Sequence, residues 1–238
     1  MILVAVAFMF PLYILVNIAI RGPGDFTPYH LPVANPTFDN FIGAWEQSNI
    51  GRALISSTVI TIVAVTLIVF FGALAAYGIV RSTTKWSNVT FYIFLIGLLV
   101  PFQLTMIPMY QNFAKLGMIG SPVTLVILYI GFRMPFTIFL YAAFLRALPG
   151  DYEEAASIDG AGMFRRFWQI AFPLMRPVTG TVIILTGLYV WNDFLAPLLY
   201  IGATRFRTVP LEIYSFVSDN ATNWSLVFAA LLISMLPV

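Results

Sequence analysis

Glu154-Ala155-Ala156-Ser157-Ile158-Asp159-Gly160, followed after nine residues by Ile170-Ala171-Phe172-Pro173, forms a charged, small-residue island between two long apolar runs. On a helix, Ala156 and Gly160 are four apart and share a face, as do Ala155 and Asp159. Small side chains on one face let a foreign backbone come close, and a neighbouring carboxylate orients it. Pro149-Gly150-Asp151 reads as the helix start, with Asp151, Glu153 and Glu154 at the positive end of the dipole. Gly160 and Gly162 are natural stops. A second short helix is expected from Met163 to Phe172, ending at Pro173.

Outward from this island the chain is greasy. Sixty per cent of its residues are hydrophobic and only 9% are charged, outside the range of soluble globular domains. Apolar runs near residues 1–20, 53–80, 89–109, 123–145, 178–200 and 225–238 approach the ~20 residues that cross a bilayer as a helix. They are continuous rather than alternating, which argues against a barrel. The expectation is an all-α polytopic membrane protein: one domain over 1–238, six transmembrane helices, and residues 146–177 as a loop between spans. Residues 1–20 lack the basic region of a signal peptide. The run at 225–238 has fourteen residues and stops short, so both ends are expected to be cut.

Six spans put residues 81–88 and 146–177 on one side. Residues 21–52, 102–121 and 201–224 fall on the other. The first side carries Arg81, Lys85, Arg146, Arg165, Arg166 and Arg176; the second carries Arg21, Arg52, Lys115, Arg205 and Arg207. That near-balance leaves orientation to the motif. Residues 21–52, rich in Pro and Asn, read as loop with one short helix, and Thr204–Asn223 as a polar connection. Pro101, Pro108 and Gly117 are expected to interrupt helices in the third connection.

The pattern EAA-x3-G-x9-I-x-F-P resembles the coupling loop of ABC importer permeases, in particular the second membrane subunit of maltose-type carbohydrate importers. The resemblance extends from about residue 38 to the end. It takes in Phe38-Asp39-Asn40-Phe41, Leu116 to Ser121, Gly131 to Phe136, and Trp191-Asn192-Asp193-Phe194 followed by Pro197. Phe172 stands where leucine is common and Ser56 where asparagine is frequent. The resemblance implies a type I ABC importer permease fold in a prokaryotic plasma membrane. Glu154, Ala155, Ala156, Asp159 and Gly160 would dock into a cytoplasmic ATPase subunit. The implied partners are a homologous permease subunit, two ATPase subunits that use ATP and Mg, an extracytoplasmic sugar-binding protein and membrane lipid. The Thr204–Asn223 connection, with Arg205, Arg207, Glu212 and Tyr214, would meet the binding protein.

Charges inside spans are costly and mark cavities or partners. Arg133 and Asp193 are the two here. At ~1.5 Å of rise per residue they lie about 18 and 24 Å from the same membrane face, within reach of one arginine side chain. A coupled pair is one expectation; the competing reading is that each snorkels or meets backbone carbonyls separately. Trp191, Asn192, Asp193 and Arg133 are also candidates for a sugar path, because aromatic faces and amides suit hydroxylated rings; helix packing is the competing reading.

Several classes are excluded or disfavoured. A net charge of +2 gives no footprint for nucleic acid, and with no cysteine and one histidine, His30, there is no metal set. Neither Lys85 nor Lys115 sits in a G-K-[ST] phosphate loop, so ATP hydrolysis belongs to another polypeptide. No catalytic residue and no cofactor bound by this chain is expected. An ABC permease for a polyol, sugar phosphate or peptide remains an alternative. An ion-coupled carrier would need broken helices and relay charges in both halves.

Overall fold

The computed structural model describes residues 1–25, 27–82, 84–220 and 222–237. They divide into two compact units: Met1–Thr58 with Gly202–Val238, and Val59–Ile201. The long helix α3 (Ile50–Arg81) contributes its first turns to one unit and the remainder to the other.

In the first unit, α1 (Ile2–Ala19) packs on α13 (Trp224–Met235), which also meets α2 (Asp39–Gln47) and α12 (Val209–Asp219). Ala19, Ala44, Ala229 and Ala230 let these helices approach around Ile50, Phe216 and Leu226. Polar side chains fold the connection that follows α1. The Asn17 amide donates to the Tyr29 and Leu31 carbonyls (2.7 Å each) and accepts the Val33 N–H (3.1 Å). Asn40 donates to the carbonyls of Ala19 and Arg21 (2.8 Å each), serving the orphan acceptors at the helix end. Hydrogen bonds from the Thr27 hydroxyl and backbone hold the Asp25 carboxyl below its ordinary range.

The second unit holds α4 (Lys85–Gly97), α5 (Phe102–Lys115) and α6 (Pro122–Ala147). After these come the short α7 (Asp151–Ile158), α8 (Met163–Arg166) and α9 (Phe172–Leu174), then α10 (Arg176–Asn192) and α11 (Leu195–Tyr200). Two apolar cores support it. One surrounds Tyr77, Ile138, Tyr141, Leu145 and Phe167; the other surrounds Ile68, Leu125, Tyr129 and Tyr200. Gly72 of α3 faces Thr137 of α6 so closely that a Cβ would collide with the threonine methyl. Only glycine permits that approach.

By length and hydropathy α3 and α6 can each cross a bilayer alone. The run expected as one span over 89–109 is instead α4 and α5, bent by 97° across residues 98–101. Pro101 causes the break: it has no N–H to continue a helix and its extended backbone starts the next one. Pro108, also expected to interrupt, lies inside α5, whereas Gly117 (φ +67°) does end that helix.

The expected fifth span, 178–200, is likewise broken: α10 stops at Asn192 and α11 starts at Leu195. Its N-terminal partner is the α8–α9 segment, bent 73° from α10. Pro173 does not stop the second loop helix. The turn Phe167–Ala171 widens to the π pattern ahead of the proline, which lacks an N–H to donate, and helix resumes to Leu174. The 204–223 connection is not a plain loop either, since α12 fills half of it. The α13 helix covers most of the sixth run, and Val238 lies outside the described residues.

Candidate functional site

The EAA segment is a two-turn helix whose ends are set by its sequence. Gly150 precedes α7, and Asp151, Glu153 and Glu154 occupy its first turn. Gly160 adopts φ +81° just past the C-terminal cap Asp159. The Ala161 N–H donates to the Ala156 carbonyl (2.9 Å) and the Gly160 N–H to the Ser157 carbonyl (3.1 Å), the paired bonds of a Schellman stop. A Cβ at Gly160 would meet nothing within 4 Å. Glycine is required there for its backbone conformation and not for space.

Glu154, Ala155, Asp159 and Gly160 are exposed and Ala156 is half-buried. The structure brings these motif residues together on an open face with Tyr152 and Ile158, the latter 87% exposed. Ile158 adds an uncovered apolar side chain to this face. Sequence reading passed over Ile158 because it falls at an unspecified position of the pattern.

Glu153, one residue before the motif, points the other way. It is 5% exposed, accepts a hydrogen bond from the Tyr77 hydroxyl (2.8 Å) and pairs with Arg81 Nε (2.8 Å). Tyr77 and Arg81 are one turn apart at the end of α3. Sequence offered one faint signal: three carboxylates crowd one helical turn, and all three cannot face the same way.

The intramembrane charges do not form the expected pair. Asp193 Oδ2 accepts from the Tyr129 hydroxyl (3.0 Å), and Oδ1 accepts the Leu195 N–H (3.1 Å), which ties the carboxylate to the break before α11. The Arg133 guanidinium instead lies 4.6 Å from the ring centroids of both Phe136 and Tyr189. The expected Arg133–Asp193 contact is corrected on that geometry. Tyrosines one turn away on α6 and on α10 supply the partners, since a phenol can donate to a carboxylate and an aromatic face can hold a cation. The Tyr129 and Tyr189 rings meet edge-on at 6.4 Å, so the four side chains form one polar–aromatic cluster. Asn192 is exposed and donates to the Leu188 carbonyl of its own helix (2.8 Å), and Trp191 is half-buried.

In the other unit, Arg205 and Tyr214 are exposed and Arg207 is half-buried. Glu212 is not on the surface. It is 5% exposed, accepts the Asn49 N–H (3.1 Å) at the start of α3 and takes a long contact from Arg207 (3.5 Å). It is therefore removed from the outward-facing set. Nearby, the Val209 N–H donates to the Ser57 hydroxyl (2.8 Å), a second stitch between α12 and α3.

Two of the apolar runs are broken, a glycine-stopped exposed helix lies between the fourth run and the fifth, and a polar–aromatic cluster joins α6 to the end of α10. Residues 68–238 match the family model of the binding-protein-dependent transport system inner membrane component, and the chain belongs to that family. A melibiose/raffinose/stachyose import permease of Bacillus subtilis is 34% identical over 237 residues, covering 99% of this chain and 86% of that protein. A probable permease for starch degradation products of Thermoanaerobacterium thermosulfurigenes is 36% identical over 200 residues, 84% of this chain and 73% of that protein. The fold is shared with a chain of a bacterial ABC transporter that imports the acidic polysaccharide alginate, at TM-score 0.81, 21% identity, and coverage of 99% and 88%. The protein is a multi-pass permease component of a multi-subunit ABC importer.

Proposed function

We propose that this chain is the membrane-spanning permease of an ATP-driven sugar importer. It lines the translocation path with a homologous partner and works with two cytoplasmic ATPase subunits and an extracytoplasmic sugar-binding protein. The observation that carries the reading is the α7 helix. Its small-residue face and Ile158 are open, its glycine stop is intact, and its inner face is fastened to a span. Such a helix is built to be pushed from outside. ATP and Mg act in the ATPase subunits, whose dimerisation would move α7 and open the bundle in turn. The relatives named for melibiose, raffinose, stachyose and starch products support an oligosaccharide as cargo. Arg205 and Tyr214, outward-facing, are the residues we assign to the binding protein. Arg133, Trp191, Asn192 and Asp193 are assigned to the sugar path.

The test is co-purification of the tagged chain with a cytoplasmic ATPase, followed by ATP-dependent uptake of labelled raffinose or maltotriose in proteoliposomes carrying the binding protein. ATPase association with saturable uptake is expected. Uptake driven by an ion gradient without ATP would overturn the reading.

A further inference from the structure

Glycines flank the coupling helix on both sides. Gly150 precedes it, while Gly160 and Gly162 follow it, with open space around the last two. A push on its outer face passes onward through α8 and the Phe167–Ala171 turn, against which the helix packs, and through a polar contact from its first turn to α3. Glu153 reaches inward from the first turn of α7 and is held by Tyr77 and Arg81, both at the end of α3. Arg81 Nη2 also reaches the Leu148 carbonyl (3.5 Å) at the loop's entry, and the Tyr77 ring lies 5.2 Å from Phe167 on its return arm. The last turn of α3 therefore grips the entry, the short helix and the exit of the same loop.

We infer that Glu153, Tyr77 and Arg81 form a latch through which displacement of α7 is passed to α3, making them positioning residues for transport. The inference rests on the permease reading above. Charge-assisted hydrogen bonds are directional and resist sliding, which apolar packing does not. Tyr77 and Glu153 are almost wholly buried, so water does not compete for these bonds. A buried ion pair contributes little net stability compared with an apolar replacement, yet it fixes geometry. Its effect should then appear in coupling more than in folding.

The test uses the complete transporter in proteoliposomes, with ATP hydrolysis and sugar uptake measured in parallel. Glu153→Gln sets a neutral amide against the guanidinium. Sugar moved per ATP should fall about tenfold, the factor equivalent to one lost hydrogen bond to a charged group, while hydrolysis stimulated by loaded binding protein persists. Arg81→Lys, which keeps the charge, should fall less, and the exchange Arg81→Glu with Glu153→Arg should recover part of the ratio. Parallel loss of hydrolysis and uptake in Arg81→Lys and Glu153→Gln would mark the contact as structural only and overturn the latch. An unchanged ratio would do the same. Absence of ATP-driven uptake in the unmodified complex would instead sink the permease reading on which the latch depends.

Discussion

Two short helices, α7 and α12, lie at opposite ends of the α3 sequence and are fastened to it in different ways. Each carries a glutamate in its first turn that is 5% exposed, Glu153 and Glu212. Glu153 meets two side chains at 2.8 Å, one of them a guanidinium nitrogen. Glu212 meets a backbone N–H at 3.1 Å and an arginine only at 3.5 Å. The difference teaches what each attachment can transmit. A backbone N–H at a helix start is already an orphan donor, so Glu212 chiefly finishes the beginning of α3. Glu153 engages a charge and a phenol of two side chains at the far end of the same helix.

The comparison can be broken at Arg81. Arg81→Ala leaves Glu153 as a buried, uncompensated carboxylate; with Arg81 partly solvated, we expect a loss near the bottom of the usual range, about 3 kcal/mol. Denaturant titration of the purified chain in detergent would measure it, and a loss equal to that of Arg207→Ala would erase the contrast between the two attachments.

Next in size is Gly160→Val. Forcing a β-branched residue to φ +81° costs about 1–2 kcal/mol and opens the Schellman stop. Membrane insertion should survive while uptake collapses, and Gly160→Asn should keep much of it, because asparagine tolerates that conformation. Equal uptake by all three proteins would show that the stop does not matter.

A smaller effect is expected within the spans. Tyr129→Phe removes one bond to Asp193 and should cost about 1–2 kcal/mol in the same titration. Arg133 and Asp193, by contrast, meet only through the tyrosines, so a double-mutant cycle should give weak coupling at the bottom of the range for one network, about 0.5 kcal/mol. Strong coupling would restore the direct pair that the geometry excludes. The smallest change is Arg207→Ala, within about 0–1 kcal/mol, because its contact to Glu212 is long and partly solvated.

The sequence made the apolar runs and the glycine-stopped loop helix legible, because both depend on neighbours in the chain. Hydropathy gave α3 and α6 nearly residue for residue, and Gly160 marked its own stop. What stayed hidden depends on distant partners. Glu153 looked like one more dipole charge until folding brought it to Tyr77 and Arg81, more than seventy residues earlier. Depth counting placed Arg133 and Asp193 at similar heights but carried no information about azimuth, and the tyrosines decided their contacts. Hydropathy also ran straight through residues 98–101 and 193–194. A bend at a proline or at an Asx stop changes direction without changing composition. The α12 helix was missed for the opposite reason: its polar surface masked Val209, Leu211 and Phe216, which are buried.

Gly72 sets α3 against Thr137 of α6 with no room for a side chain on the glycine side. Such a seam behaves as a register key. For α3 to slip along α6 by one turn, the notch would have to accept Ala76 or Ile68 in place of a bare backbone, and neither fits where a single Cβ already collides. Sliding is blocked, and the notch holds α3 and α6 in a single register along their shared seam.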